Sequence, residues 1–166
     1  MGIRKDMESK FVFPNPTHSA DNRVTLRDRL YELPDPDLRD ICDQPYSSRY
    51  MSRNRKRDWD EISYTIPAMA KQVPLHPSSP DMVRIHQDLW RFGDKGPSRR
   101  FAWWEAAIVQ SFPTEFLFMG DLISRYRQIG NAVPPVFAQA IAAQLHDFLL
   151  DNVQPAAYCA EERKVV

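Results

Sequence analysis

The sequence predicts an α+β protein in which a small, loop-rich mixed β domain precedes a longer C-terminal helix. Fourteen prolines against five glycines, with most of the prolines in the first 100 residues, favour an irregular front half of short strands and turns. Apolar residues alternate along residues 62–66, as in a half-buried strand, and recur at helical spacing from Phe137 to Leu149. At 166 residues and 43% hydrophobic, the chain has room for one modest domain, or for a small domain with an extension that packs on something else.

Two shorter helices are expected before the last one. Thr25 can cap a helix that must end before Pro34, because proline cannot continue a helix. Residues 103–110 have the composition of a second short helix, which the Ser-Phe-Pro break at residues 111–113 halts. Residues 82–97 alternate basic and apolar side chains, and their secondary structure stays ambiguous.

The formal net charge is zero, but the charges are distributed unevenly. Residues 32–43 are acidic, whereas residues 49–57 carry four arginines and one lysine with no acid. Arginine matches the O6 and N7 acceptors of guanine, and lysine more often meets phosphate. From the residues alone, the basic segment is either a nucleic-acid contact or an ordinary solvated run of charge.

Neither the cysteines nor the histidines are spaced like metal ligands. Cys42 and Cys159 are too few and too far apart for a disulfide framework or a zinc site. The histidines, which share no metal-like spacing, are His18, His76, His86 and His146. Because no apolar run suits a signal peptide or a membrane span, we expect an intracellular, cytoplasmic protein without metal or membrane partners.

Residues 127–135 place a glycine, a short amide side chain and two prolines immediately before the C-terminal helix. This spacing predicts a tight loop that leads into a helix N-terminus. Gly130 would allow close backbone approach, and Asn131 offers donors and an acceptor. The residues alone leave two interpretations open, an ordinary helix entry and a site where a polar ligand or partner loop meets free backbone N–H groups.

The string Gln-Ile-Gly-Asn-Ala-Val-Pro at residues 128–134 resembles the C-terminal signature of cytosine-5 DNA methyltransferases. Residues 50–77 resemble the target-recognition region of the HaeIII-type enzymes, and the match rests on residues 51–55, Trp59, Gln72 and residues 75–77. Residues 1–6 look like the end of the strand that follows the family's arginine-rich catalytic block. A further match, at the spacing that the family has, comprises Arg100, Glu105, Ala107, Gln110, Phe112, Pro113, Glu115 and Phe116.

The resemblance implies that the chain has four parts. The first part, at residues 1–24, would be the end of a catalytic-domain strand followed by a linker. Residues 25–116 would form the target-recognition domain with its scaffold helix. Residues 117–152 would supply the signature loop and a helix that packs back on, and completes, an absent α/β methyltransferase domain. Residues 153–166 would be a flexible tail.

Members of this family transfer a methyl group from S-adenosylmethionine to carbon 5 of cytosine, and they flip the base and attack it with a thiolate. That thiolate lies in a proline-cysteine-glutamine setting, which neither Cys42 nor Cys159 has, and the family's glycine-rich cofactor loop is also missing. The resemblance therefore implies no catalytic residue in this chain, and a separate polypeptide that carries the catalytic half. The cofactor would be shared, with Asn131, Ala132 and Val133 lining its pocket from this side.

The resemblance also makes double-stranded DNA the expected partner, with a GGCC-like target. Arg55 and Arg57 are the predicted base-reading residues. Arg53, Lys71 and Arg100 complete the predicted DNA contacts. The alternative from another class is a non-catalytic DNA-binding module, or an inert truncated remnant of such an enzyme.

Four positions depart from the family's pattern. Ala102 replaces a threonine that would cap the short helix opposite Glu105, at a cost of about 1 kcal/mol. Trp104 and Ile108 replace arginines, and Ser111 replaces a glycine. We therefore expect altered bracing of the recognition domain, which favours the alternative of a non-catalytic module or an inert remnant.

Overall fold

The computed structural model describes residues 10–152, so the strand end expected at residues 1–6 and the tail expected at residues 153–166 lie outside the described residues. The chain divides into two compact units. The larger unit comprises residues 17–136, and the smaller unit includes residues 10–16 and 137–152. The described residues have mixed α and β content with a two-stranded sheet and a C-terminal helix, in agreement with the predicted fold class.

The predicted first helix is confirmed as α1, Leu26–Leu30. Thr25 and Asp28 form a capping box, in which the Asp28 carboxylate accepts from the Thr25 backbone N–H at 2.7 Å. The backbone N–H groups of Leu26 and Arg27 donate to the carbonyls of Glu61 and Trp59. This short helix is therefore stabilised both by its own cap and by a distant loop.

Residues 62–66 form no strand, so the alternation of apolar residues was misleading there. Ile66 is buried in the core while Ile62 is 46% exposed, and the segment pairs with no strand among the described residues. The strands lie instead in the segment that the sequence left ambiguous. β1 (Val83–His86) and β2 (Leu89–Arg91) form an antiparallel hairpin, with Asp88 at a φ of 59° in its turn.

The second predicted helix is confirmed as α2, Trp103–Val109. Its N-cap, Ala102, has no side-chain hydrogen bond, but the Glu105 carboxylate accepts from the Ala102 backbone N–H at 2.8 Å. Half of the capping arrangement therefore survives the alanine. Two short 3-10 helices, Leu38–Asp40 and Ala70–Gln72, complete the elements that precede α2.

The prediction of a tight loop over residues 127–135 is wrong for residues 127–131, which form the end of helix α3, Leu122–Asn131. The Asp121 side chain caps α3 by accepting from the Ser124 backbone N–H at 2.8 Å. The last helix is confirmed as α4, Pro135–Asn152, and it begins at a proline as expected. Only residues 132–134 separate the two helices.

The larger unit is organised around one main hydrophobic cluster that joins α1, α2 and α3 with the loops between them. Its buried members include Leu26, Leu30, Ile66, Val73, Phe101, Ala106, Tyr126 and Ile129. A second cluster of Tyr50, Leu75 and Met82 packs with Tyr46, Met51, Trp90 and Phe92 beneath the hairpin. In the smaller unit, Phe148 is buried and meets Phe11 edge-on at 5.7 Å between ring centroids.

Gly130 confirms the predicted close backbone approach, although it does so inside a helix. A Cβ at this position would lie 2.2 Å from the Ala68 backbone nitrogen and 2.3 Å from the Pro67 carbonyl carbon. Both contacts are backbone atoms, which cannot swing aside as a flexible side chain can. Helix α3 therefore rests directly on the loop at residues 67–68.

Gly130→Ala should lower the free energy of unfolding by about 2 kcal/mol, in the range expected for overpacking. Helix propensity alone predicts the opposite sign, a gain of about 1 kcal/mol, so the direction of the change is diagnostic. Urea denaturation of the full chain measures it, with the exposed helix position Arg127→Ala as control. A more stable Gly130→Ala protein would contradict the backbone contact.

Ser111 ends helix α2 in a conformation that favours glycine, with a φ of 64°. The backbone N–H groups of Ser111 and Phe112 donate to the carbonyls of Ile108 and Ala107, the hydrogen-bond pair of a Schellman motif. The Ser111 hydroxyl accepts from the Val136 backbone N–H at 3.2 Å, near the start of α4. The serine thus combines a strained backbone with a compensating hydrogen bond.

Ser111→Gly and Ser111→Ala both remove this hydroxyl, but only glycine relieves the left-handed backbone. We expect the Gly variant to be more stable than the Ala variant by about 1 kcal/mol. Thermal unfolding of the two variants side by side gives the difference. Equal midpoints would mean that the backbone at Ser111 is not strained.

Candidate nucleic-acid interface

The basic segment at residues 49–57 lies against the second hydrophobic cluster and is tied to its neighbours through the backbone. The Leu75 N–H donates to the Arg55 carbonyl at 2.9 Å, and the Trp90 N–H donates to the Met51 carbonyl at 2.8 Å. These bonds join the segment to the chain around residue 75 and to strand β2. The basic side chains are therefore mounted on a braced loop.

Arg55 is the most constrained of the predicted base-reading arginines. Its Nε donates to the Tyr50 carbonyl at 3.2 Å, and its Nη2 donates to the Arg49 carbonyl at 3.3 Å and to Gln72 Oε1 at 3.1 Å. The guanidinium also lies 5.1 Å from the centre of the Tyr50 ring. Burial, together with the positive charge of Arg53, lowers the pKa of the Arg55 guanidinium.

Arg57 and Arg53 differ in how they are held. Arg57 Nη1 bonds the Glu61 carboxylate at 2.7 Å, and its guanidinium lies 4.3 Å from the centre of the Tyr64 ring. Arg53 is exposed and makes no hydrogen bond or ion pair with any residue between 10 and 152. Arg53 is therefore open to a ligand, whereas Arg55 and Arg57 are already oriented by the protein.

Lys56 takes no part in this surface, although it sits in the middle of the segment. It is 8% exposed, and its Nζ bonds Asp58 at 2.6 Å and also the carboxylate of Asp81. Burial alone would lower the pKa of the Lys56 ammonium, but the two aspartates outweigh burial and raise it. Lys56 is therefore a charged structural residue.

The two remaining DNA-contact candidates lie in contrasting places. Lys71 is half-buried in the second 3-10 helix, directly before Gln72. Arg100 is only 2% exposed. Its Nη1 donates to the Cys42 carbonyl at 2.7 Å, and its guanidinium lies 4.0 Å from the centre of the Tyr46 ring. Such a buried position does not favour the DNA contact predicted for Arg100.

A buried network that sequence reasoning missed lies beside Arg100. Arg99 binds both carboxylate oxygens of Glu105, at 2.7 and 2.9 Å, and the Nε2 of His76 lies 3.6 Å from the same carboxylate. Burial, with the charge of Arg99, lowers the pKa of His76 to about 3, so this ring is neutral at physiological pH. The spacing of Glu105 three residues after Ala102 was the only signal of this network in the sequence.

The residues predicted to line the cofactor pocket lie together at the junction of α3 and α4. Asn131 is exposed at the last position of α3, Ala132 follows it, and Val133 is 59% exposed. The junction therefore presents one polar and one apolar side chain to the surroundings. The chain's Gln110 braces the junction by donating to the Ile129 carbonyl at 3.2 Å.

No group of three or more histidine, cysteine or acidic residues between residues 10 and 152 could hold a metal ion. None of the helices described there is long and apolar enough to cross a membrane.

Residues 6–147 match the family described as C-5 cytosine-specific DNA methylase. The chain is 38% identical to the type II methyltransferase M.BsuRI of Bacillus subtilis, over 92% of this chain and 38% of that protein. It is 35% identical to M.MthTI of Methanothermobacter thermautotrophicus, over 87% of this chain and 49% of that protein. With M.FnuDI of Fusobacterium nucleatum it shares 34% identity, over 92% of this chain and 50% of that protein.

These relatives are type II methyltransferases, and the matched part of the chain spans half or less of the length of each. The matched range contains both the basic segment and the signature at residues 128–134. The chain belongs to the family of C-5 cytosine-specific DNA methylases.

Proposed function

We propose that this chain is the DNA-recognition portion of a DNA (cytosine-5) methyltransferase of the HaeIII type, and that it acts together with a separate catalytic half. The observation that carries the proposal is the braced basic segment, in which Arg53, Arg55 and Arg57 lie on one loop anchored to strand β2.

The proposed division of labour on DNA follows from how each side chain is held. Arg55 and Arg57 are oriented by internal acceptors and aromatic rings, which suits readout of guanine edges in the major groove of a GGCC-like target. Arg53 and Lys71 have no such partners, which suits contacts to phosphate. Arg100 would support the domain from within, because its guanidinium is buried against Tyr46.

The chain's part in methyl transfer is to position DNA and to close one side of the cofactor site. Bound S-adenosylmethionine would supply the methyl group, with Asn131, Ala132 and Val133 forming one wall of its pocket. Cys42, at 2% exposure, is too buried to attack a base, and it lies outside a proline-cysteine-glutamine setting. Cys159 also lacks that setting, so the proposal assigns the nucleophile to the catalytic half.

Mixing the purified chain with the catalytic segment of the Bacillus subtilis relative should restore methyl transfer to a duplex that contains GGCC. Transfer of labelled methyl groups is measured for the mixture and for each polypeptide alone, and we expect incorporation only in the mixture. DNA binding without transfer at every ratio would favour the alternative, a non-catalytic DNA-binding module. If the mixture shows neither DNA binding nor methyl transfer, the chain is an inert remnant.

Arg53→Gln should weaken duplex binding by several fold and reduce the slope of log affinity against log salt by about 1, because one phosphate contact is lost. Arg29→Gln removes the same charge from an exposed position on α1, outside the basic segment, and should leave the slope unchanged. Fluorescence anisotropy of a labelled duplex at several salt concentrations, with and without the catalytic segment, measures both. Equal effects of the two variants would contradict a local DNA contact at Arg53.

A further inference from the structure

The guanidinium of Arg55 has little freedom left, because the protein already uses three of its five N–H donors. Nε bonds the Tyr50 carbonyl, and the two Nη2 hydrogens have acceptors in the Arg49 carbonyl and Gln72 Oε1. Only Nη1 has no acceptor among the described residues. Arg55 is thus held through Nε and Nη2, and its Nη1 group remains available as a donor.

Of the three acceptors, Gln72 is the one that comes from outside the segment itself. It ends the 3-10 helix Ala70–Gln72, and the next residue, Val73, is completely buried. Tyr50 donates its hydroxyl to the Val73 carbonyl at 3.0 Å, so the ring under Arg55 and the backbone after Gln72 are bound together. Gln72 Nε2 also reaches Ser47 Oγ at 3.4 Å, at the turn that leads into the basic segment.

The chemistry of the amide explains why glutamine suits this position. A carboxylate would bind Arg55 more strongly, but it would cancel the positive charge and repel the DNA backbone. The amide oxygen accepts one hydrogen bond from Nη2 and leaves the full charge of Arg55 in place. The Gln72 amide therefore fixes the direction of the Arg55 guanidinium and does not weaken the electrostatic attraction of Arg55 for DNA.

We propose that Gln72 is a positioning residue for DNA specificity, which locks Arg55 so that its Nη1 group is the one presented to the duplex. This rests on the proposed function, because it takes Arg55 as a base-reading residue. Gln72 itself makes no contact with DNA in this scheme. Its effect is to reduce the number of orientations from which Arg55 can bind a wrong base.

The test compares Gln72→Met with a matched control, Gln87→Met. Methionine keeps the length of the side chain but removes the amide oxygen. Gln87 is exposed in the hairpin turn, and its side chain has no hydrogen bond with a described residue. Both variants are made in the full chain, and unfolding midpoints are measured first to verify that both are folded.

Two measurements follow, and the first needs no DNA. In Gln72→Met, the Arg55 side-chain N–H signals in NMR should exchange with water several times faster than in the wild type, whereas Gln87→Met should leave them unchanged. The second measurement is the ratio of affinities for a GGCC duplex and for duplexes with one guanine replaced by 7-deazaguanine. We expect this ratio to fall roughly tenfold in Gln72→Met, near the lower part of the range for one lost base contact, with the salt slope unchanged.

Arg55→Met separates the failure of this proposal from the failure of the proposed function. If Arg55→Met abolishes discrimination while Gln72→Met leaves both discrimination and exchange as in the wild type, positioning by Gln72 is overturned and base reading stands. If Arg55→Met leaves discrimination unchanged, the base-reading role of Arg55 fails. The exchange rates then still decide whether Gln72 holds the side chain. A higher ratio of affinities for the GGCC duplex and the 7-deazaguanine duplexes in Gln72→Met would also overturn the proposal. The amide would then be preventing Arg55 from contacting DNA.

Discussion

The larger unit depends on one buried arrangement, the hydroxyl of Tyr126 and the guanidinium of Arg100 meeting the backbone around Cys42. Tyr126 OH donates to the Phe101 carbonyl at 2.7 Å and accepts from the Cys42 N–H at 3.4 Å, while Arg100 Nη1 donates to the Cys42 carbonyl at 2.7 Å. Without these partners, polar backbone atoms in the core would lose their hydrogen bonds to water and gain nothing in return. Burial raises the pKa of Tyr126, so the hydroxyl stays protonated and able to donate.

This arrangement connects helix α3 to Phe101, two residues before α2, and to Cys42, near the end of the acidic region. Gly130 adds a second restraint on α3, by direct backbone contact with residues 67–68. The same loop leads into the 3-10 helix that carries Lys71 and Gln72. Gly130 and Arg55 are thus connected through residues 67–72, by the backbone contact at one end and by the Gln72 hydrogen bond at the other.

The departures from the family pattern alter the scaffold without removing it. Glu105 accepts hydrogen bonds from the Ala102 N–H and from two nitrogens of Arg99, so the start of α2 is held without a hydroxyl at residue 102. Ser111 keeps the helix-ending motif at the cost of a left-handed backbone. Trp104 and Ile108 line an apolar cleft of about 320 Å³ with Phe116 and Phe118. Helix α2 forms with alanine as its N-cap and with tryptophan and isoleucine at these positions.

Local signals in the sequence determined helices α1, α2 and α4, because caps, prolines and apolar spacing act within one or two helical turns. The sequence also determined the family, through the string at residues 128–134 and the block before it. It did not reveal helix α3, because the glycine and asparagine near its end are typical of loops, and only contact with residues 67–68 makes glycine necessary there. The hairpin was likewise hidden in an ambiguous segment.

The roles of individual cations were decided by tertiary structure alone. Arg53, Arg55, Lys56 and Arg100 carry the same charge but have different surroundings. Arg53 is exposed, and Arg55 is hydrogen-bonded to Gln72. Lys56 is paired with aspartates, and Arg100 is buried against Tyr46. The acceptors that distinguish them lie up to 58 residues away, in the case of Arg100 and Cys42. A hydrogen bond depends on distance in space, and distance in space between such remote residues exists only once the chain has folded.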